Sequence, residues 1–142
     1  MVMRRSGMTL LELLVVLAIG GVLATLSLPR LGRLRDASAV RAALSDLGAT
    51  FASARQAAVS RRAHVAVVFD TASGTVRIRV AGEVLVRRNL HAAYGIALGA
   101  NRDSAVYDPR GLGFGVSNVS VTVRRGSMVD TFTMSRLGRS VW

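Results

Sequence analysis

The stretch "RRSGMTLLELLVVLAIGGVLATLSLP", residues 4–29, decides the fold of the first part of this 142-residue chain. From Met8 to Pro29 it is almost entirely apolar, and Glu12 is the only charged residue within it. An α-helix of that length is about 33 Å long, which is enough to cross a hydrocarbon core of about 30 Å. The stretch therefore predicts a membrane helix, and the carboxylate inside it needs an explanation because charge in lipid is costly.

Three interpretations of this segment compete. A cleaved secretory signal peptide explains the basic start at Arg4 and Arg5. However, the apolar region of a signal peptide is normally uncharged and about 7–15 residues long. A plain membrane anchor explains the hydropathy but gives Glu12 no purpose, although ionisable groups inside membranes are usually functional. The third interpretation gives the carboxylate a role.

The sequence "SGMTLLELLVVLAI", residues 6–19, resembles the N-terminus of type IV pilins and of type II secretion pseudopilins. The resemblance implies that a prepilin peptidase cuts after Gly7, that the new N-terminal residue Met8 is N-methylated, and that Glu12 is the family's docking glutamate. Met8 stands where the family usually has phenylalanine. The amine created by the cut can pair with the Glu12 carboxylate of a neighbouring subunit, and such a pair is stronger in a low-dielectric setting than in water.

Beyond Pro29, apolar residues recur every three or four positions, which is typical of one face of a helix. These positions are Leu31, Leu34, Ala37, Val40, Leu44, Leu47, Phe51, Ala54 and Ala58. Proline can kink a helix without ending it. The pattern therefore predicts that the membrane helix continues as an amphipathic helix to about Ser60.

From His64 the apolar period changes from helical spacing to two, which indicates strands. The predicted strands are residues 64–69, 75–80, 83–88, 119–124 and 128–134. In "TVRIRV", residues 75–80, this alternation places the three apolar side chains on one face and the two arginines on the other. "RGS" joins the last two strands as a hairpin, and the glycine-rich "DPRGLGFG", residues 108–115, is predicted to be a loop.

The predicted fold is α+β and pilin-like, with a long N-terminal helix packed on an antiparallel β-sheet domain. The helix has a transmembrane half and an amphipathic half. The expected divisions are a cleaved leader at 1–7, a transmembrane segment at 8–29, its amphipathic continuation at 30–62 and a β-rich domain at 63–142.

The β-rich part also resembles a subgroup. "HVAVVFD", "YDPRG", the hairpin and "SRLGR" occur in the order that is found in the GspH/FimT family of minor pseudopilins. The resemblance implies a single-pass protein of the bacterial inner membrane with a periplasmic C-terminal domain. Its implied partners are prepilin peptidase and other major and minor pseudopilins or pilins, with which it assembles into a pseudopilus or pilus.

Composition limits the possible functions. All 19 basic residues are arginine, and against eight acidic residues they give a net charge of +11, which favours anionic partners. The absence of cysteine excludes disulfides and thiol catalysis. His64 and His91 have no carboxylate or hydroxyl at a useful spacing and no metal-ligand cluster exists, so we expect no enzyme activity, no cofactor and no small-molecule substrate.

Two functions remain open. The first is a minor pseudopilin, a structural subunit of a type II secretion pseudopilus that acts in protein export across the outer membrane. The second is a FimT-like minor type IV pilin that binds DNA for natural transformation or supports pilus assembly. FimT-like DNA binders use a glycine-arginine pair followed two residues later by another arginine. Here Gly138 and Arg139 match, whereas Val141 replaces the second arginine. The arginines expected to complete a contact with DNA or a partner are Arg124, Arg125 and Arg136.

Overall fold

The computed structural model describes residues 9–115, 118–135, 137 and 139–141. The expected leader, its cleavage site at Gly7 and Met8, and the residues Arg136 and Gly138 lie outside the described residues. The chain divides into two compact units, of which the first ends at Leu34 and the second begins at Arg35. The fold begins with helix α1, Leu10–Arg61, which ends one residue beyond the predicted end.

The first unit is helical and carries its apolar side chains on the surface. Leu10, Leu17 and Val22 are all more than half exposed. Leu31 and Leu34, which the periodic pattern assigned to the buried face, are also exposed, so that face becomes buried only from Val40 onward. No helix among the described residues combines the length and hydropathy required of a membrane span.

The second unit contains two antiparallel sheets. Its strands are β1 Val65–Asp70, β2 Thr75–Val80, β3 Glu83–Asn89, β4 Ala97–Ala100, β5 Ser104–Tyr107, β6 Gly113–Phe114, β7 Val119–Arg125, β8 Met128–Met134 and β9 Ser140–Val141. The five-stranded sheet has the order β3-β2-β1-β5-β6, and the four-stranded sheet has the order β4-β7-β8-β9. A short helix, α2 Leu90–Tyr94, connects β3 to β4.

The core of the second unit is built from one face of α1 and the inner faces of both sheets. Phe51 lies at its centre and is 1% exposed. The Phe51 ring lies 4.7 Å from that of Phe132 in the four-stranded sheet and 6.0 Å from that of Phe69 in the five-stranded sheet, centroid to centroid. One helical side chain therefore joins three layers, and the predicted α+β class is confirmed.

All five predicted strands are present, with ends within one residue of the prediction. The predicted alternation in β2 is also confirmed, since Val76, Ile78 and Val80 are buried while Arg77 and Arg79 lie on the opposite face. The sequence reasoning missed α2 and strands β4, β5 and β9, which are only two to five residues long.

The prediction of a loop over residues 108–115 is wrong at its end, because Gly113 and Phe114 form strand β6 and pair with β5. The loop itself is held by Asp108, whose carboxylate accepts hydrogen bonds at 2.9 Å from the backbone N–H groups of both Leu112 and Arg110. The Leu112 N–H and the Arg110 side chain hold the pKa of Asp108 below its usual value, so the loop keeps its anionic anchor at neutral pH.

Candidate functional sites

Glu12 lies in the first turn of α1, and the residue before the helix fixes that start. Thr9 accepts a hydrogen bond at its Oγ1 from the backbone N–H of Glu12, at 3.3 Å. This is an N-cap contact, and a carboxylate three residues after the cap is favoured near the positive end of the helix dipole. The same threonine and glutamate that match the pilin motif therefore also start the helix.

The Glu12 side chain is exposed, and no ion pair in the part of the chain that the structure describes involves it. It is surrounded on the helix by exposed leucines such as Leu11 and Leu13. A carboxylate within an exposed apolar surface suits a helix whose partners come from other molecules. Its expected partner is the Met8 amine of a neighbouring subunit, and Met8 lies outside the described residues.

Two of the arginines expected in one basic contact, Arg124 and Arg139, are not brought together. Arg124 pairs with Val129 of β8, whereas the carbonyl of Arg139 accepts a bond from Ser135 beyond the other end of that strand. Six residues of strand separate these two positions, which is about 20 Å at 3.3 Å per residue. Both arginines are exposed, but the structure places them at opposite ends of the four-stranded sheet.

Arg125 is held by contacts within the protein, although its side chain is 36% exposed. Its Nε donates to the Asp36 carboxylate of α1 at 3.0 Å, and its Nη1 donates to the carbonyl oxygen of Tyr94. Gly126 follows with φ +55°, and a Cβ at that position would press against the Asp36 carboxylate. The hairpin tip is thus clasped to the helix by a contact between residues 89 positions apart, which no sequence spacing indicates.

Residues 30–142 carry a large excess of positive charge, and few of their described arginines are neutralised by ion pairs. Residues 30–142 carry 17 arginines and seven acidic residues. Four of those acidic residues are each paired with an arginine, namely Asp36, Asp46, Asp70 and Asp108. Most of the other arginines among the described residues form no ion pair, so the surface of this part of the chain stays strongly positive.

The two histidines have packing contacts. The His64 ring lies edge-on to Phe114 with centroids 4.6 Å apart, and His91 Nδ1 is 2.8 Å from the carbonyl oxygen of Ile96. Among the described residues, no group of three or more histidine, aspartate or glutamate side chains is arranged to hold a metal ion.

Comparison with known families agrees with this architecture. The model of the prokaryotic N-terminal methylation motif matches residues 2–28. The model described as type II transport protein GspH matches residues 43–138, which is more than half of the chain. The chain belongs to the GspH family. Membership of that family, with the methylation motif in the same chain, supports a role as a minor pseudopilin or minor pilin of structural type.

Solved structures show the same fold. Two crystal structures of the type IV minor pilin FimU from Pseudomonas aeruginosa strain PAO1 are similar to this chain. The first is 16% identical, has a TM-score of 0.61, and the match covers 72% of this chain and 86% of FimU. The second is 14% identical, has a TM-score of 0.58, and the match covers 71% and 90% of the two chains. A search of curated protein sequences found no significant match.

Proposed function

We propose that this GspH-family chain is a minor pseudopilin, a structural subunit of a type II secretion pseudopilus. The observation that carries the proposal is the joint presence of a methylation-type N-terminus with an exposed Glu12 and a GspH domain. In this proposal prepilin peptidase removes residues 1–7 and Met8 is methylated. Segment 8–29 anchors the chain in the bacterial inner membrane, helix segment 30–62 continues from it, and domain 63–142 lies in the periplasm.

The assembly step follows from charge and hydropathy. In lipid the apolar helix is well solvated, but its single carboxylate is unfavourable in an isolated subunit and is satisfied when a neighbour supplies a cationic amine. Glu12 then docks on the Met8 amine of that neighbour, and other pseudopilins or pilins are the partners.

Deletion of the gene from its own bacterium tests whether the chain serves a type II secretion system or a type IV pilus. We expect the strain to accumulate secretion substrates in the periplasm and to regain export when the wild-type gene is restored. The control is the number of surface pili, which should not change. Normal export with loss of pili would contradict the secretion role and assign the subunit to a type IV pilus.

DNA binding is a second candidate, and the surplus of arginines over acidic residues in 30–142 favours it. If DNA binds, its affinity should fall steeply with salt, because arginines at phosphates release counterions. Arg124→Gln should reduce both the affinity for duplex DNA and the salt slope, the latter by about one contact.

Arg125→Gln is the matched control for that measurement. It removes the same charge one residue away but breaks the clasp to Asp36, so it should lower the thermal stability and leave DNA affinity nearly unchanged. Equal losses of DNA affinity in the two variants would show that net charge, and not a site at Arg124, governs binding. Affinity that is insensitive to salt would exclude a phosphate-directed mode.

A further inference from the structure

The outer face of the five-stranded sheet carries a row of side chains that crosses all five strands. The strand register aligns Val84, Arg79, Ala66, Val106 and Phe114 in that row. Val84 and Phe114, at its two ends, are 52% and 59% exposed. No described segment covers this face, whereas the opposite face of the same strands forms the core.

A hollow of about 220 Å³ lies in the middle of this row. Its floor is formed by the short apolar side chains of Ala66, Val68 and Val106, and Arg79 lies at one side. His64 also lines the hollow, and its ring lies edge-on to the ring of Phe114. The hollow has the size and polarity to accept one apolar side chain from outside.

The charges around the hollow are unbalanced. Arg77 and Arg87 are directly opposite each other on neighbouring strands, an arrangement of like charges that is unfavourable. Asp70 neutralises Arg77 through a 2.8 Å contact, but no ion pair among the described residues involves Arg87. Arg79 donates to the neutral carbonyl of Gly82 at 3.2 Å. The Arg79 guanidinium therefore lines the hollow without an ion pair, and Arg87 lies on the same face of the sheet, also without an ion pair among the described residues.

We propose that this outer face docks an acidic segment of a protein partner, a neighbouring filament subunit. One apolar side chain of the partner fills the hollow, and its carboxylates pair with Arg79 and Arg87. Arginine is well suited to this because its planar group binds a carboxylate through two parallel hydrogen bonds and is enriched at protein interfaces. Only the identity of the partner as a filament subunit rests on the function proposed above.

The shape of the surface favours a protein over nucleic acid. Single-stranded nucleic acid binds to aromatic rings that offer a free face for stacking, along a groove that follows the phosphates. The one aromatic ring on this row, Phe114, is at the sheet edge and meets His64. Alanine and valine side chains beside an arginine instead match an apolar side chain flanked by carboxylates.

The full-length protein in detergent micelles provides the test, with binding followed by fluorescence anisotropy. The probes are a labelled peptide of alternating glutamate and leucine, a polyglutamate peptide of equal charge, and duplex DNA. We expect the glutamate-leucine peptide to bind more tightly than polyglutamate. The Arg79→Gln/Arg87→Gln double variant should bind that peptide at least about tenfold more weakly, because two charge-assisted contacts are lost.

The matched control is the Arg35→Gln/Arg41→Gln double variant, which removes two exposed arginines from α1 and should keep the affinity of the wild type. Ala66→Phe fills the hollow without changing charge, so it should weaken binding of the glutamate-leucine peptide and leave polyglutamate binding unchanged. Circular dichroism of every variant checks the fold, and the Arg79/Arg87 pair decides the result if Ala66→Phe does not fold.

Three results would overturn the proposal. One is an equal loss of affinity in the α1 control variant, which would reduce the effect to net charge. Another is equal binding of polyglutamate and the glutamate-leucine peptide. The third is tighter binding of duplex DNA that is lost in the Arg79/Arg87 variant, which would assign the face to nucleic acid. The secretion phenotype is measured separately, so failure here leaves the assembly role standing.

Discussion

Glu12→Val is expected to leave the chain folded and processed but to exclude it from filaments. The substitution removes the carboxylate and leaves the neighbour's Met8 amine without a partner in an apolar interface. Removing one partner of a buried ion pair costs about 3–5 kcal/mol. At 1.4 kcal/mol for each factor of ten, the association constant should fall by at least about a hundredfold. The measurement is the fraction of the subunit found in sheared filaments relative to membranes.

Thr25→Val is the matched control for this prediction. Thr25 lies in the same apolar stretch and its hydroxyl donates to the carbonyl of Val22 at 2.7 Å, so the substitution removes a polar group that is already satisfied within the helix. We expect normal incorporation of this variant. Normal incorporation of the Glu12 variant as well would show that the carboxylate does not dock the subunit.

Phe51→Ala is expected to cause the largest loss of stability. The side chain is fully buried and contacts Phe69, Phe132 and Tyr107, so its removal leaves a cavity where the helix meets both sheets. Phenylalanine-to-alanine changes in cores cost about 3–5 kcal/mol. Because the whole free energy of unfolding of a domain is about 5–15 kcal/mol, the variant should unfold at a much lower temperature or denaturant concentration.

Phe114→Ala is the control with the same chemical change. Phe114 is 59% exposed and lies on the outer face of the sheet. We expect it to cost less than about 1 kcal/mol, since a mostly exposed side chain leaves no cavity. Similar losses in denaturant melts of the two variants would contradict the position of Phe51 at the centre of the core.

The helices and strands that could be predicted from the sequence are those in which the spacing of apolar residues is maintained over six residues or more. Helix α1 is indicated by an apolar run up to Pro29 and by a helical period beyond it, and five strands of six or seven residues show a period of two. Strands such as Ala97–Ala100 are too short and too poor in large apolar residues to show a period of two. Helix α2 was marked only by its caps, with Asn89 accepting a bond from Ala92 and Gly95 in the left-handed region.

The candidate functional residues divide in the same way. Gly7, Met8 and Glu12 lie within six positions of one another, so a local motif predicts their roles. The outer face of the five-stranded sheet depends on register between distant strands, and the clasp of Arg125 to Asp36 depends on tertiary packing. Counting arginines near the C-terminus could not distinguish the exposed Arg124 from the engaged Arg125.

The intact mass of the protein purified from its own bacterium tests most directly whether this chain is a processed, pilin-like assembly subunit. We expect loss of residues 1–7 and a new N-terminal Met8 that carries one added methyl group. N-terminal sequencing should then read Met-Thr-Leu-Leu-Glu. Retention of Met1 to Gly7, or a cut at another position, would contradict it.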